Sequence, residues 1–156
     1  MEMLQTKPYA GTGELRWHLG TLMNVLITHE QTNGDFAIVG FTIQQGAEPP
    51  RHTHTKEDET FIMQEGSVTF QIGEETIEAK PGMTVYAPRG LAHSFTLKSP
   101  TARFLVIVTP GRFVDFFINN SEPAPGNILP PAPQGPPPAE AIAQIIAEAS
   151  RYSVSF

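Results

Sequence analysis

Residues 46–66 read GAEPPRHTHTKEDETFIMQEG, and this stretch holds two histidines and a glutamate at an informative spacing. His52 and His54 are two residues apart, so on a β-strand both imidazoles point to the same face. The polar residues 55–58 are typical of a turn, and Glu59 opens the next apolar run, where it can point back at the histidines. The stretch therefore predicts three metal-binding side chains between two short strands.

A third histidine lies in residues 82–95, GMTVYAPRGLAHSF. His93 follows a Pro-X-Gly turn and begins another predicted strand. If neighbouring strands bring these ends together, three imidazoles and one carboxylate converge. Neutral imidazole suits zinc, copper, iron and nickel, and a carboxylate adds a hard oxygen with a negative charge. Because a buried carboxylate is costly to desolvate, the set predicts one divalent transition metal, namely Fe, Mn, Ni, Cu or Zn.

Each part of this pattern has a simpler interpretation. A His-X-His tripeptide alone is common, and it can lie on the surface without a ligand. Glu57 and Asp58 compete with Glu59 for the role of acidic ligand. The wider spacing around these residues separates the alternatives.

That spacing resembles the two conserved motifs of the cupin superfamily. The matching positions of the first motif are Gly46, His52, His54, Glu59 and Gly66, and those of the second are Gly82, Pro88, Gly90 and His93. Within the superfamily, the segments HTHTKEDETFIMQEG and PRGLAHSF are most similar to small single-domain proteins that resemble quercetin dioxygenases.

The resemblance implies an all-β cupin jelly-roll barrel (a double-stranded β-helix), a homodimer, and four metal ligands at His52, His54, Glu59 and His93. It selects Glu59 over Glu57 and Asp58, which we interpret as exposed acids of the turn. One position departs from the family pattern: the second motif often ends with Asn four residues after its histidine, and here Leu97 stands there. Since that Asn is not a ligand, we expect metal binding to survive with an altered pocket wall or turn.

The rest of the chain predicts a β-domain followed by two helices. Residues 1–20 form an N-terminal arm and first strand, and residues 21–110 form the barrel, with short strands separated by turns. The acidic-Gly pair Glu65-Gly66 indicates a tight hairpin. Residues 111–122 predict a short helix, 123–138 a stiff Pro-rich linker, and 139–156 a C-terminal helix and tail.

Composition narrows the function classes. The 156 residues carry a net charge of -6 and no Lys/Arg cluster, which disfavours nucleic acid and anionic membranes as partners. The absence of cysteine excludes disulfides, thiolate catalysis and Cys-type zinc sites. The first residues do not resemble a signal peptide, and the longest apolar run is too short to span a bilayer. We therefore expect a cytoplasmic protein.

Strand parity suggests which side chains line the site. Phe61 and Met63 share the parity of Glu59, and Phe95 shares that of His93. The prediction that Phe70 lines the site depends only on the assumed hairpin. Tyr86 is expected to be a core residue or a proton donor in the pocket. We interpret the remaining histidines as structural or surface groups.

The predicted site supports three functions. The first is an oxygenase-type enzyme acting on a small enol- or phenol-like molecule that chelates the metal and loses a proton, with Glu59 as a ligand or as the catalytic base. The second keeps the fold but performs isomerisation, lyase chemistry or metal-assisted hydrolysis. The third is a non-catalytic module that binds a small molecule or a metal. Residues 139–156 are too short and not basic enough for a DNA-binding helix-turn-helix.

Overall fold

The structure is a computed structural model that describes residues 6–156. It consists mainly of short antiparallel strands, as the alternation of apolar and polar residues predicts. The first six are β1 Glu14–His18, β2 Thr21–Ile27, β3 Ala37–Gln44, β4 Thr53–His54, β5 Asp58–Glu65 and β6 Val68–Ile72. The other six are β7 Glu75–Ala79, β8 Thr84–Ala87, β9 His93–Leu97, β10 Thr101–Thr109, β11 Ser121–Pro123 and β12 Val154–Ser155.

The strands form one large sheet and two small ones. The large sheet has the order β11-β1-β2-β3-β10-β5-β8, and a three-stranded sheet has the order β7-β6-β9. The strands β12 and β4 form a separate pair. The fold is therefore an all-β jelly roll, as predicted.

The core lies between the sheets. Along β3 every second side chain is buried, beginning with Ala37, and β10 alternates in the same way beginning with Ala102. Phe104 of β10 contacts Phe41, Phe61 and Phe95, which lie on three other strands. One layer of aromatic rings thus joins the two main sheets and positions β5 and β9, the strands that carry Glu59 and His93.

The turn at Glu65-Gly66 is not the hairpin that the sequence suggests. β5 pairs with β10 and β8, whereas β6 pairs with β7 and β9, so this turn carries the chain from one sheet to the other. Gly66 has a φ of 81°, and a Cβ atom there would lie 2.5 Å from the carbonyl oxygen of Thr101. The chain does turn at Glu65-Gly66, but tertiary packing decides which strands this turn connects.

Two helices follow the barrel. Helix α1, Val114–Asn119, continues a 3-10 turn at Gly111–Phe113, and helix α2 spans Ala139–Ser150. Between β11 and α2 the Pro-rich segment lies against the large sheet. The Trp17 indole donates a hydrogen bond to the Ile128 carbonyl at 2.9 Å, and the Gln44 amide donates one to Pro130 at 3.0 Å. No helix in residues 6–156 is both long and apolar enough to cross a membrane.

Candidate metal centre

Backbone pairing brings the predicted ligands together. His52 and His93 form an isolated antiparallel bridge, with reciprocal N–H to carbonyl bonds of 3.0 and 2.8 Å. The Gly90 amide donates to the His54 carbonyl at 2.8 Å, which ties the turn before β9 to β4. Glu59 lies on β5, opposite Val108 of β10 and Ala87 of β8. The two histidines of the first motif, the third histidine and the glutamate thus meet at one end of the barrel.

The four side chains converge on one point. One ligand-type atom from each of His52, His54, Glu59 and His93 lies within 4.8 Å of the other three. Glu59 Oε2 is 3.0 Å from His93 Nε2 and 3.4 Å from His54 Nε2. His54, Glu59 and His93 are buried, and His52 is partly exposed. Three of the four side chains are therefore buried, and the cluster is most accessible at His52.

Tautomers can be assigned from the neighbouring groups. His52 Nδ1 lies 2.8 Å from the Pro50 carbonyl, which can only accept, so Nδ1 carries the proton and Nε2 is free to coordinate. Such a bond fixes the orientation of a ligating ring. The Nε2 atoms of His54 and His93 face Glu59, so all three rings can present this nitrogen.

The charges of the cluster are strongly coupled. Burial alone would raise the pKa of Glu59, but the charges of His54, His93 and His52, together with the close polar contact of His93, lower this pKa to about 2. Burial lowers the pKa of His52 to about 4, against the attraction of Glu59. Burial also disfavours the charged form of His54, yet Glu59 and Glu57 raise its pKa overall. Glu59 is therefore a carboxylate at neutral pH.

The donor set fits a divalent cation. Both ring nitrogens of His54 and of His93 are buried without a hydrogen-bond partner among the described residues. Buried polar atoms without partners are costly, so native structures usually satisfy them. Three imidazole nitrogens and one carboxylate oxygen within 4.8 Å would gain a common partner in a transition-metal ion.

The burial of Glu57 differs from the prediction. We interpreted it as an exposed acid of the turn, but only 6% of its surface is exposed. Its Oε2 lies 3.5 Å from His54 Nδ1, on the side of the ring opposite Glu59. Asp58 instead accepts a hydrogen bond from the Arg89 guanidinium at 3.1 Å near the surface. The two acids of the turn therefore differ in environment, which their adjacent positions did not reveal.

The predicted pocket residues lie at different depths. The Phe61 ring is 6.2 Å from that of His93 and so contacts the cluster. Phe70 and Phe95 contact Phe61, with ring centroids 4.9 and 6.3 Å away. Met63 is buried two positions along β5 from Phe61. Phe61 borders the metal centre, and the other three lie in the apolar core near it.

Tyr86 does not line the centre and is not a core residue. It pairs with Thr60, whereas Glu59 pairs with Ala87, so its side chain lies on the opposite face of the sheet from Glu59. It is 55% exposed. Both of the roles that we expected for Tyr86 are therefore wrong.

Two aromatic neighbours of the cluster were missed in the sequence. Phe113 packs edge-on against His54 with ring centroids 4.5 Å apart, and Phe156 lies 5.9 Å from His52. Both follow the barrel strands, separated from the histidines by 59 and 104 positions respectively. No local spacing signal connects residues so far apart, and only the fold brings them to the site.

A second group of ligand-type side chains among the described residues is His29, Glu30 and Asp115. His29 Nε2 is 3.1 Å from Glu30 and 3.0 Å from Asp115. Glu30 is exposed and the contacts join the β2–β3 connection to α1. We assign these contacts to polar interactions near the surface, in line with the structural or surface role expected for His29.

Comparison with known proteins agrees with the family that the sequence motifs resemble. A family model described as "Cupin domain" matches residues 40–108. The chain is 29% identical over 113 residues to "Quercetin 2,3-dioxygenase" of Bacillus subtilis (strain 168), covering 72% of this chain and 34% of that protein. The chain thus spans about a third of the length of this curated relative.

Solved structures share the fold. A predicted oxalate decarboxylase from Thermotoga maritima aligns with a TM-score of 0.57 and 17% identity, over 64% of this chain and 93% of that one. The Streptomyces protein PAC13, solved with uridine, aligns with a TM-score of 0.56 and 16% identity, over 77% and 92% of the respective chains. At these identities the similarity concerns the fold alone.

Proposed function

This chain belongs to the cupin superfamily, and on that premise we propose that it is an oxygenase-type, metal-dependent enzyme that acts on a small enol- or phenol-like molecule. His52, His54, Glu59 and His93 would hold one divalent transition metal. The observation that carries the proposal is their convergence within 4.8 Å, with partnerless ring nitrogens on two buried histidines. Similarity to a quercetin 2,3-dioxygenase favours oxygen chemistry among the reactions that the fold supports.

Four protein ligands leave room for a substrate. An octahedral ion held by four residues keeps two positions open, whereas a tetrahedral ion would be closed. When bound, the metal supplies Lewis-acid polarisation of a chelating oxygen and a route for electrons to dioxygen. The open side of the cluster is at His52, so a planar chelating molecule would enter there.

Glu59 would either remain a metal ligand or swing from the metal to accept a proton. Its pKa of about 2 keeps it ionised at neutral pH but makes it a weak base, so proton transfer to it would require a substrate hydroxyl acidified by the metal. A carboxylate within hydrogen-bond reach of a substrate hydroxyl can accept the proton of an enol or phenol. The apolar rings of Phe61 and Phe113 beside the histidines would keep water from the reacting molecule. In a ring-cleaving dioxygenase both oxygen atoms enter the organic product and the substrate itself supplies the four electrons, so no external reductant is needed.

Oxygen uptake tests this proposal. Protein stripped with a chelator is reloaded separately with iron, manganese, nickel or copper, and oxygen consumption is followed with quercetin and with catechol. We expect substrate-dependent uptake that disappears on chelation and returns with at least one metal. Asp58→Asn is the control variant and should keep this uptake. Asp58 is an acid of the same segment as Glu59, but its side chain pairs with Arg89 and does not face the histidines.

Other outcomes would favour the alternatives. Turnover that proceeds without oxygen would replace the oxygenase with isomerase, lyase or hydrolase chemistry. Tight binding without turnover across a broad metabolite panel would favour a non-catalytic binding module. Metal-loaded protein that neither binds nor converts any of these molecules would contradict the enzyme proposal.

We also propose a cytoplasmic homodimer with the domain limits expected from the sequence. The outer face of the large sheet supports the dimer, because Ile38, Ile62, Leu105 and Ile107 are only partly covered there. The N-terminal arm, residues 1–13, is the segment expected to pair across the two-fold axis, and its first five residues lie outside the described part of the chain. Light scattering that gives a monomer mass at all concentrations would contradict the dimer.

A further inference from the structure

The segment after α2 returns to the metal centre. β12 pairs with β4, so that Val154 lies opposite His54 and Ser155 opposite Thr53. A strand from the C-terminal segment thus lies directly beside the strand that carries a predicted ligand. This segment lies outside residues 40–108, the range shared with the family model.

The segment is firmly anchored. Ala149 and Val154 are buried in the core. The Tyr152 ring packs edge-on against Phe113 and Phe116, at 5.9 and 6.1 Å. The Ser153 carbonyl accepts hydrogen bonds from the Thr55 amide at 3.2 Å and from the Thr55 hydroxyl at 2.9 Å. Its position beside β4 is therefore fixed by packing and by hydrogen bonds.

This anchoring brings Phe156 to the open side of the cluster. Its ring centroid lies 5.9 Å from that of His52, the least buried of the four predicted ligands, with a 40° angle between the planes. Phe156 itself is 49% exposed. Phe61 and Phe113, which contact the other two histidines, are buried. Phe156 is thus the aromatic neighbour whose ring stays available to an entering molecule.

We infer that Phe156 is a specificity-determining residue that contacts the ring of an aromatic chelator at the metal centre. The inference rests on the proposed function, since it requires that an organic chelator bind at the metal. An aromatic ring beside a flat chelator gains apolar contact and ring–ring attraction, whereas a small aliphatic chelator gains neither. The centre should therefore prefer aromatic over aliphatic chelating molecules.

The test compares two probes on the full chain loaded with Co²⁺. 4-Nitrocatechol is the aromatic probe and acetohydroxamic acid the small aliphatic one, and both are titrated by absorbance. We expect Phe156→Ala to weaken 4-nitrocatechol binding about five- to tenfold and acetohydroxamic acid binding less than about twofold. Phe156→Leu, which keeps apolar volume without the ring, should give an intermediate loss for 4-nitrocatechol.

Ile146→Ala is the matched control. Ile146 is an apolar residue of the same C-terminal segment and is 41% exposed, but it lies on α2 and not on the strand that pairs with β4. This variant should bind both probes like the unaltered protein. All variants must first retain the Co²⁺ stoichiometry of that protein.

The possible results distinguish a failure of the proposed function from a failure of the role assigned to Phe156. If neither probe binds the unaltered, Co²⁺-loaded protein, the proposed function fails and the substrate contact fails with it. If both probes bind and Phe156→Ala weakens them equally or not at all, the role of Phe156 is overturned while the proposed function stands. Selective loss of the aromatic probe supports both.

Discussion

Glu57 shows how one buried side chain changes the interpretation of the site. Its carboxylate lies 3.5 Å from His54 Nδ1, while Glu59 lies 3.4 Å from Nε2 of the same ring. A carboxylate behind a ligating histidine holds the ring in place and raises the basicity of the coordinating nitrogen. We therefore interpret Glu57 as a positioning residue rather than a ligand.

Substitution of Glu57 tests this role. Glu57→Gln should weaken metal affinity about 10- to 100-fold, because the partner of His54 loses its charge. Asp58→Asn, at the neighbouring position that pairs with Arg89, should change the affinity little. Glu59→Ala should lower metal content further than Glu57→Ala does. Competition with a chromogenic chelator and elemental analysis measure these effects, and equal metal content in the two alanine variants would contradict the assignment of Glu59 as the ligand.

His18 lies away from the metal centre and gives a pH-dependent contribution to stability. It is 6% exposed, with Phe116 and Phe117 packed edge-on against its ring. Its Nδ1 donates to the Asn120 carbonyl at 2.9 Å. Burial lowers the pKa of His18 from 6.5 to about 4, despite the backbone hydrogen bonds that raise it.

The sign of this contribution follows from the direction of the shift. Below pH 6.5 the unfolded chain takes up a proton that the folded chain refuses until about pH 4, so stability falls as the pH drops through this window. The loss amounts to about 3 kcal/mol at pH 4 and is absent above pH 7. Urea unfolding at pH 4–8 measures the free energy of unfolding of the unaltered protein and of His18→Gln, and the difference between the two should change over this window. A difference that stays constant across all pH values would refute the buried, neutral state of His18.

At the scale of the element, the β5–β6 turn decides how the sheets are joined. Gly66 adopts a positive φ of 81°, and an added Cβ would lie 2.5 Å from the Thr101 carbonyl oxygen and 2.9 Å from the Ala102 Cα. These are backbone atoms of the strand that begins at Thr101, so they cannot move aside without disturbing β10. The turn thus requires glycine for its conformation and also for its close packing.

Gly66→Ala should therefore cost more than an ordinary substitution at positive φ. We expect a loss of about 3 kcal/mol in the free energy of unfolding. Gly34→Ala is the control, because Gly34 has a φ of 89° but nothing within 4 Å of its added Cβ, so it should lose only about 1 kcal/mol. Chemical denaturation measures both, and equal losses would show that the close approach to Thr101 carries no cost.

At the scale of the whole molecule, the metal centre links separate parts of the barrel. His93 lies on the small sheet, Glu59 on the large sheet, and His54 on the strand paired with β12. These side chains are distant in the unfolded chain, so a metal that requires all four binds the folded state preferentially. We therefore expect metal binding to be coupled to folding.

Metal-dependent stability follows from this coupling. Nickel at about 100 times its dissociation constant should stabilise the folded protein by about 2.7 kcal/mol, which raises the Tm by roughly 5–10 °C. Differential scanning calorimetry with and without EDTA measures the shift. Glu59→Ala should lose most of it. An unchanged Tm at saturating nickel would contradict a site that draws its ligands from both sheets.

Local patterns in the sequence were sufficient to predict the strands, the all-β class and the residues that converge at the candidate metal centre. Strand alternation and the spacing around His52, His54 and Glu59 are local signals, because side-chain direction follows directly from position along a strand. The C-terminal helix was predicted for the same reason, from the three- and four-residue spacing of its apolar positions.

Four features became visible only in the folded molecule. They are the burial of Glu57, the outward direction of Tyr86, the partners of the strands at Gly66, and the contacts of Phe113 and Phe156 with the histidines. Each of these depends on which distant segment packs against a given strand. Such contacts are set by the burial of the whole core, and the identities of neighbouring residues along the chain do not encode them.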